Sequence, residues 1–201
     1  NGNNQGIVAW CWKANGTGSS NTNGSINTTA TSANTSAGFS ISTYTGTGSN
    51  ATIGHGLSKA PEWIIVKRRN AAEGWATYHS GIASDAQTDF VELHSTAAAS
   101  DSDTRWNDTA PTTSVFSIGT HDSVNASSST YVSYAWHSVE GYSKIGSYIG
   151  NGNAAGTFVY TGFKPAWVLI KPSSRTGHWF MANNKSSPSN DVDKVILAND
   201  S

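Results

Sequence analysis

Apolar and polar positions alternate along much of the chain from residue 38 onward. Phe39, Ile41 and Thr43 occupy every second position, and Glu62–Arg69, EWIIVKRR, is an apolar run that directly follows Pro61. A period of two is typical of β-strands, and no segment keeps a period of 3.6 residues over three helical turns. The pattern therefore predicts an all-β fold, with further strands at Trp75–Ser80, Asp89–Ser95, Ser114–Thr120 and Thr130–Val139.

A constant shift of 104 positions lays one stretch of the chain over another. Residues 44–75 read YTGTGSNATIGHGLSKAPEWIIVKRRNAAEGW, and residues 148–179 read YIGNGNAAGTFVYTGFKPAWVLIKPSSRTGHW. The coinciding residues are Tyr44 and Tyr148, Gly46 and Gly150, Gly48 and Gly152, Pro61 and Pro165, Trp63 and Trp167, Lys67 and Lys171, and Trp75 and Trp179. We interpret them as structural positions that define a repeat. The glycine-rich residues 46–56 are predicted to form turns between strands.

The repeat divides the chain into four parts. Residues 1–13, NGNNQGIVAWCWK, overlay residues 125–137, NASSSTYVSYAWH, at a shift of 124, and are predicted to end a preceding unit. Residues 14–37 are rich in Gly, Asn, Ser and Thr and are predicted to be an inserted loop or linker. Residues 38–142 are predicted to form a complete unit, and residues 143–201 to be the truncated start of the next one.

The length of the repeat suggests the architecture of one unit. A period of about 104 residues exceeds that of the common solenoids, which have roughly 20–50 residues per repeat, and favours whole small domains in tandem. A unit of this size with many short strands matches a β-sandwich, either Ig-like or of jelly-roll type. A small Greek-key barrel is the alternative.

The low charge of the chain argues against two classes of function. Only 12% of the residues are charged, the formal net charge is −1 and the densest basic run is Lys67–Arg69, so we expect no binding to nucleic acid. No apolar run approaches the roughly 18 residues of a membrane-spanning helix, and we expect no membrane insertion.

The single cysteine, Cys11, has no partner for a disulfide within the chain and is expected to be buried between Trp10 and Trp12.

No motif in the sequence predicts catalysis or a cofactor. The six histidines lack the spacing of a zinc site, and the sequence contains no Gly-x-Ser-x-Gly nucleophile elbow. The acidic pairs Asp101/Asp103 and Asp191/Asp193 supply too few oxygen ligands for calcium on their own. The Gly-x-Gly turns of the repeat lack the third glycine of a dinucleotide site. We therefore predict no enzyme activity, no metal and no cofactor.

Aromatic residues are the strongest indication of a binding surface. The chain has eight Trp and seven Tyr, and exposed aromatic rings stack on sugars and anchor protein interfaces. The four tryptophans of the repeat are predicted to pack in the core or between units, because they recur at equivalent strand positions. Trp106, in the irregular segment RWND, is the candidate for a surface ligand contact, together with Arg105 and Tyr78.

Several phrases of the sequence resemble a known type of module. They are YTGTGSNATIGHGL, APEWIIVKRR, SVFSIGT, YVSYAWHSVEGYSKIGSYIGNG and FVYTGFKPAWVLIK. Together they resemble a tandem β-rich module, a domain of unknown function, in large tail-fibre and structural virion proteins of marine tailed bacteriophages. The resemblance implies a virion location and carries no catalytic residues.

These observations predict a non-enzymatic virion structural protein, a tail fibre or appendage that contacts the host cell surface. Neutral, aromatic-rich strands without disulfides gain stability by packing on copies of themselves, so we expect a homo-oligomer, with a trimer favoured, that contacts other virion proteins. The alternatives are a carbohydrate-binding module for a host surface glycan, a capsid decoration or head-fibre protein, and a polysaccharide depolymerase.

Overall fold

A computed structural model describes residues 9–186 and 194–200 of the chain. Asp191 and Asp193 lie outside the described residues, as does most of the segment 1–13. The strands are β1 Ala30–Asn34, β2 Phe39–Thr45, β3 Ala51–Gly54, β4 Trp63–Arg68, β5 Trp75–His79, β6 Asp89–Glu92, β7 Ser100–Asp101, β8 Val115–Ile118, β9 Thr130–Trp136, β10 Trp167–Ile170, β11 Phe180–Asn183 and β12 Ile196–Leu197. Two one-turn helices, α1 Asp103–Trp106 and α2 Asp122–Asn125, flank β8.

The strands form three sheets, which confirms the predicted all-β fold class. Seven strands make one sheet in the order β1-β2-β9-β4-β5-β6-β7, and each neighbouring pair is antiparallel. β3 and β8 form an antiparallel pair, and β10, β11 and β12 form a third, antiparallel sheet. The strand β3 lies within residues 46–56, so this segment is more than the series of turns that we predicted.

The main core lies between the seven-stranded sheet and the β3–β8 pair. Tyr44 and Val66 from the sheet and Ile53, Phe116 and Ile118 from the pair are each at most 1% exposed and belong to one apolar cluster. Two antiparallel layers that share a buried face fit a β-sandwich. A second, smaller apolar cluster is formed by the buried Phe39, Ile65 and Trp136, whose side chains alternate with those of the main core.

Buried hydroxyl groups hold the segment 14–37 against the sheet. We predicted this segment to be a loop or linker, yet it includes β1, which pairs with β2 along five positions. The side chains of Thr28 and Thr31 are joined at 2.8 Å, and Thr31 Oγ1 lies 2.9 Å from Ser42 Oγ on β2. Short polar side chains can be buried when their hydroxyl groups are hydrogen-bonded. Ile26 of the same segment is 8% exposed and belongs to the main core cluster, so one apolar side chain also holds the segment.

Two stacked tyrosines connect the sheet to α2. The rings of Tyr44 on β2 and Tyr131 on β9 are 5.1 Å apart and nearly parallel. The Tyr44 hydroxyl donates to the carbonyl of Val124 at 2.7 Å, and the Tyr131 hydroxyl donates to the carbonyl of Asp122 at 2.6 Å. Burial raises the pKa of both phenols, so both remain protonated donors.

The three-stranded sheet contacts the rest of the chain through Trp179. This side chain is 4% exposed, and its Nε1–H donates to the carbonyl of Glu92, at the end of β6, at 3.0 Å. The backbone adds two hydrogen bonds, from Ala99 N to Ser173 O at 2.8 Å and from Gly177 N to Thr96 O at 2.9 Å. One face of the small sheet is thereby covered, and its other face is exposed to solvent.

Candidate functional site

The structure buries the three residues that we predicted to form a surface contact, so that prediction is wrong. Trp106 is 2% exposed, Tyr78 is 5% exposed and Arg105 is 7% exposed. The last turn of α1 directs the Trp106 ring into the main core, where it meets Tyr78 edge-on at 6.0 Å. The helix packs closely on the end of β8, since a Cβ at Gly119 would collide with the carbonyl group of Thr104.

Arg105 links three parts of the fold instead of facing a ligand. Its guanidinium group lies over the Phe90 ring, 4.2 Å from the centroid, and Nη2 is 3.5 Å from Glu92 Oε1. Nη1 donates to the hydroxyl of Ser123. Burial lowers the pKa of Arg105, and the Glu92 and Glu73 carboxylates oppose that shift. Since an arginine in a protein keeps its proton, the group acts as a buried cation paired with Glu92.

A serine–histidine contact near Arg105 is part of a helix cap. His121 is the N-cap of α2, and its Nδ1 accepts a hydrogen bond from the backbone N–H of Ser123 at 3.1 Å. The Ser123 hydroxyl also lies 3.1 Å from the same Nδ1. Burial, followed by the nearby Arg105 cation, lowers the pKa of His121, so the imidazole is neutral at pH 7. Its basic nitrogen is already occupied by the cap, which is a structural role.

Aromatic side chains cluster on the face of the seven-stranded sheet that is turned away from the main core. We call this surface the outer aromatic face. It encloses a groove of about 320 Å³ that is lined by Trp10, Trp12, Phe39, Ile41, Ile65, Trp75, Tyr134 and Trp136. Alternation along the strands places their residues on the same side of the sheet, because successive side chains point to opposite faces.

The rings of the outer aromatic face are held by stacking. Trp63 and Trp136 are directly opposite on β4 and β9, and their centroids are 4.1 Å apart in a stacked geometry. Phe39 lies 5.0 Å from Trp136 on the other side. Trp12 covers this group edge-on, 5.8 Å from Trp136, and is 38% exposed. At the far edge, the ammonium group of Lys67 lies 5.7 Å from the Trp75 ring.

The outer aromatic face also contains an unpaired donor. The Nε1–H group of Trp136 is buried and has no hydrogen-bond partner among the described residues. A buried donor without an acceptor costs about 1–3 kcal/mol, and this nitrogen is closed to solvent beneath its neighbours, so it is a cost to the fold and not a contact for a ligand. The exposed part of the Trp12 ring and the apolar lining of the groove are suited to adsorbing a sugar ring or an apolar side chain.

A second groove has a very different lining. It measures about 400 Å³ and lies between the segment 14–37 and the turn after β3, with Asn15, Ser19, Ser20, Asn21, Thr22, Asn23, Thr31, Ala33 and Gly56 around it. The lining offers only short amide, hydroxyl and methyl groups. It has neither an aromatic platform nor a charge, so the outer aromatic face is the better candidate for a binding site.

The first copy of the repeat-defining residues is packed around the main core. Tyr44 and Pro61 are buried, and Trp63 stacks in the outer aromatic face. Gly46 is required by a close approach, since a Cβ there would collide with the carbonyl oxygen of Ala126, and Gly48 has φ +75°. Lys67 donates to the carbonyl of Glu73 at 2.6 Å beside Trp75.

The second copy occupies a more open environment. Tyr148 is 48% exposed, and a Cβ added at Gly150 or Gly152 would meet no heavy atom within 4 Å. Trp179 is buried, as described above. The rest of the copy is placed as follows: Pro165 and Trp167 are half-buried, and Lys171 donates to the carbonyls of Pro172 and Thr96 at 2.8 and 3.4 Å.

Cys11 is exposed, so our expectation that it is buried is wrong. The residues 9–13 form no hydrogen-bonded strand, and alternation therefore does not direct this side chain into a core. Trp12, the next residue, reaches the outer aromatic face. In the sequence, Trp12 stood out only because it overlays Trp136 at a shift of 124. We interpreted that overlay as part of a repeat and did not predict a contact between the two rings.

The acidic and histidine side chains of the described chain are dispersed. Within residues 9–186 and 194–200, no three or more His, Cys, Asp or Glu side chains are grouped so that they could hold a metal ion. Asp101 lies in β7 and Asp103 opens α1. No helix in the same residues is long and apolar enough to cross a membrane.

Comparisons with known proteins give a family without an assigned activity. No curated protein matches the chain. No solved structure matches it either. One family model, described as domain of unknown function (DUF7483), matches residues 1–201. The chain therefore belongs to the DUF7483 family.

Proposed function

We propose that this chain is a non-enzymatic structural module of a bacteriophage virion, in a tail fibre or appendage, and that it contacts the host cell through its outer aromatic face. The observation that carries the proposal is a cluster of rings on one face of the antiparallel sheet, in which Trp12 is 38% exposed and lies above the buried Trp136. Rigid rings lose little conformational entropy on binding, so they are effective anchors at an interface. The virion location rests on the resemblance of the sequence phrases quoted above.

Tandem sandwich units of about 104 residues, Ig-like or of jelly-roll type, are part of the same proposal. Trp63 pairs with His79 between β4 and β5, and Trp167 pairs with Asn183 between β10 and β11. Both members of the second pair lie 104 positions after those of the first. An identical antiparallel register at the repeat distance supports a repeated unit, because register is set by the local pattern of the strands.

The exposed apolar surface of residues 142–170 supports a homo-oligomer, and a trimer stays the favoured state in this proposal. Tyr142 is 58% exposed, Ile149 and Phe158 are 88% exposed, and Tyr160 is 79% exposed. Apolar surface of this kind marks interaction sites for copies of the chain or for other virion proteins. Light scattering coupled to gel filtration would give the mass directly, and a monomer at all concentrations would contradict the oligomer.

Binding to host envelopes tests the role of the outer aromatic face. Fluorescently labelled chain is incubated with host cells, and bound protein is quantified for the wild type and for Trp12→Ala and Trp75→Ala. Both substitutions remove ring area from the face, so we expect binding to fall strongly. Phe180→Ala is the matched control, since it removes a 40% exposed ring that neither lines the groove nor belongs to the apolar surface of residues 142–170. Equal binding by all four proteins would refute the role of this face.

The carbohydrate-binding alternative is favoured by one specific observation, the 38% exposed ring of Trp12 on the outer aromatic face. A sugar ring could stack on this indole. A glycan array with the same variants would identify such a ligand, and release of reducing ends from host polysaccharide would instead indicate a depolymerase. Imaging of labelled particles distinguishes a tail appendage from a capsid decoration or head fibre.

A further inference from the structure

The strand β10 has one unoccupied edge. It pairs with β11 on one side, and no other strand is hydrogen-bonded to it within residues 9–186 and 194–200. Its repeat counterpart β4 lies between β5 and β9, and no strand of the described residues takes beside β10 the position that β9 takes beside β4. An open edge presents a row of backbone N–H and C=O groups and accepts an added strand.

The side chains next to this edge are more exposed than their counterparts. Val168 and Ile170 on β10 are 36% and 39% exposed. Ile64 and Val66, at the equivalent positions of β4, are 1% and 0% exposed. β9 flanks β4 and the β3–β8 pair covers its inner face, and neither has a counterpart at β10 among the described residues, so the apolar side chains of β10 remain in contact with water.

The register between β9 and β4 predicts which residues would meet. Trp136 is opposite Trp63, and Ala135 is opposite Ile64. The repeat places β10 at a shift of 104 from β4, and residues 9–12 at a shift of 124 from the end of β9. Applied together, the two shifts put Trp12 opposite Trp167, Cys11 opposite Val168 and Ala9 opposite Ile170 in one antiparallel register.

The structure already contains the first of these contacts. The rings of Trp12 and Trp167 are 5.3 Å apart at an interplanar angle of 83°. In the repeat they correspond to Trp136 and Trp63, whose rings stack at 4.1 Å. Trp167 Nε1–H is also buried without a hydrogen-bond partner among the described residues. The segment that overlays the end of β9 thus has its Trp12 ring beside the Trp167 end of the open edge.

We propose that the free edge of β10 is a strand-accepting edge, and that residues 9–12 of the same chain are the strand it takes, antiparallel, with Trp12 opposite Trp167. The inference goes beyond the proposed function and does not depend on it. Pairing would turn Cys11 to the side of Val168, and it would place Trp10 opposite Leu169 on the other side of the sheet.

A disulfide tests this register with the native cysteine. In the full 201-residue chain, Val168→Cys places a second thiol directly opposite Cys11, where Cα atoms of paired antiparallel residues are about 4.5–5.5 Å apart and a disulfide can form. After mild oxidation we expect the loss of both free thiols and a disulfide within one chain. Thiol titration, non-reducing electrophoresis and peptide mass mapping measure the result.

Leu169→Cys is the matched control, because it differs by one position and projects from the opposite side of the strand. It is expected to keep both thiols free. Equal cross-linking of the two variants would show random encounter and overturn the proposed register. Free thiols in both variants would overturn the pairing itself. A covalent dimer, in which Cys11 of one chain is joined to the introduced thiol of another, would assign the strand to a second copy and overturn pairing within the chain.

A second measurement requires no new cysteine. Hydrogen exchange of the peptide containing residues 167–170 is compared between the wild type and the double variant Ala9→Pro/Trp10→Pro. Successive amides of a strand point to alternate sides, so one of the two prolines must remove a donor that faces β10. We expect faster exchange of this peptide in the double variant, with unchanged exchange in β9. Identical exchange of residues 167–170 in both proteins would overturn the proposal.

Discussion

Two regions of the molecule share a sequence pattern and differ in what covers it. In the seven-stranded sheet, Tyr44 and Ile64 are each 1% exposed. In the small sheet and the segment before it, the equivalent Tyr148 and Val168 are 48% and 36% exposed. The first copy has β9 beside β4 and the β3–β8 pair above it, whereas neither is present over the second copy among the described residues. Burial of a strand thus depends on the layer that its neighbours supply, and the strand's own pattern only makes burial possible.

The largest difference between the regions is expected for aliphatic truncation. Ile64→Ala removes buried atoms from the main core and should lower the free energy of unfolding by about 2–5 kcal/mol. Val168→Ala at the equivalent position should cost less than about 1 kcal/mol, because its side chain is already partly hydrated. Urea unfolding followed by tryptophan fluorescence gives both values. Similar losses would mean that the second copy is as well covered in solution as the first.

A matched pair of glycines gives the next effect. Gly46→Ala introduces a Cβ that collides with the carbonyl oxygen of Ala126, whereas Gly150→Ala adds a methyl group in open space. Overpacking of this kind costs about 1–3 kcal/mol, and an unobstructed substitution stays within about 0.5 kcal/mol. The change in melting temperature of each variant measures the contrast. A larger decrease in melting temperature for Gly150→Ala than for Gly46→Ala would contradict the tighter packing of the first copy.

A smaller effect separates the two tyrosines. Tyr44→Phe removes the hydroxyl that donates to the carbonyl of Val124, and this should cost about 1 kcal/mol. Tyr148→Phe removes a hydroxyl from a residue that is 48% exposed, where water replaces any partner, so no measurable change is expected. Denaturant unfolding curves of the two variants and the wild type measure these changes as shifts of the midpoint, provided that the slopes of the curves are equal. A costly Tyr148→Phe would place that hydroxyl in a buried contact.

The smallest effect concerns pH and lies entirely in the larger region. Burial lowers the pKa of His55 and of His79 from the ordinary value of 6.5. The unfolded chain then binds more protons than the folded chain below pH 6.5, so stability is complete above that pH and decreases as the pH falls towards the lowered values. Urea midpoints at about pH 7.5 and about pH 5.5, on either side of the ordinary histidine pKa, measure the loss. His55→Gln should reduce it, and an unchanged pH dependence would show that His55 does not contribute.

Regular strands were predictable because their alternation is local. β5 was predicted at residues 75–80 and lies at Trp75–His79, and β8 was predicted at 114–120 and lies at Val115–Ile118. β1 was missed because its residues, ATSAN, include no large apolar side chain, and its burial depends on hydroxyl groups of a distant strand. The helices α1 and α2 are four residues long, which is too short for a helical period to be visible.

The candidate site was less predictable than the fold. Trp106 is in an irregular sequence and was assigned to the surface, yet a single helical turn directs it to Tyr78, a residue far away along the chain. The outer aromatic face includes residues from β2, β4, β5, β9 and the segment 9–13, so it exists only after the strand order is known. Alternation indicates that a strand has two faces, and it does not indicate which face a neighbouring layer covers.

The strand order at one edge of the large sheet has a mechanical consequence. β1 runs parallel to β9 with the antiparallel β2 between them, so the first residue of β1 and the last residue of β9 lie at opposite ends of the sheet. Tension applied to the chain on either side of this region pulls the strands past one another. The five paired positions between β1 and β2 and the seven between β2 and β9 are then loaded in shear, so the positions of each pair share the force at once instead of separating one after another. A chain stretched by flow would resist extension at this sheet by shear.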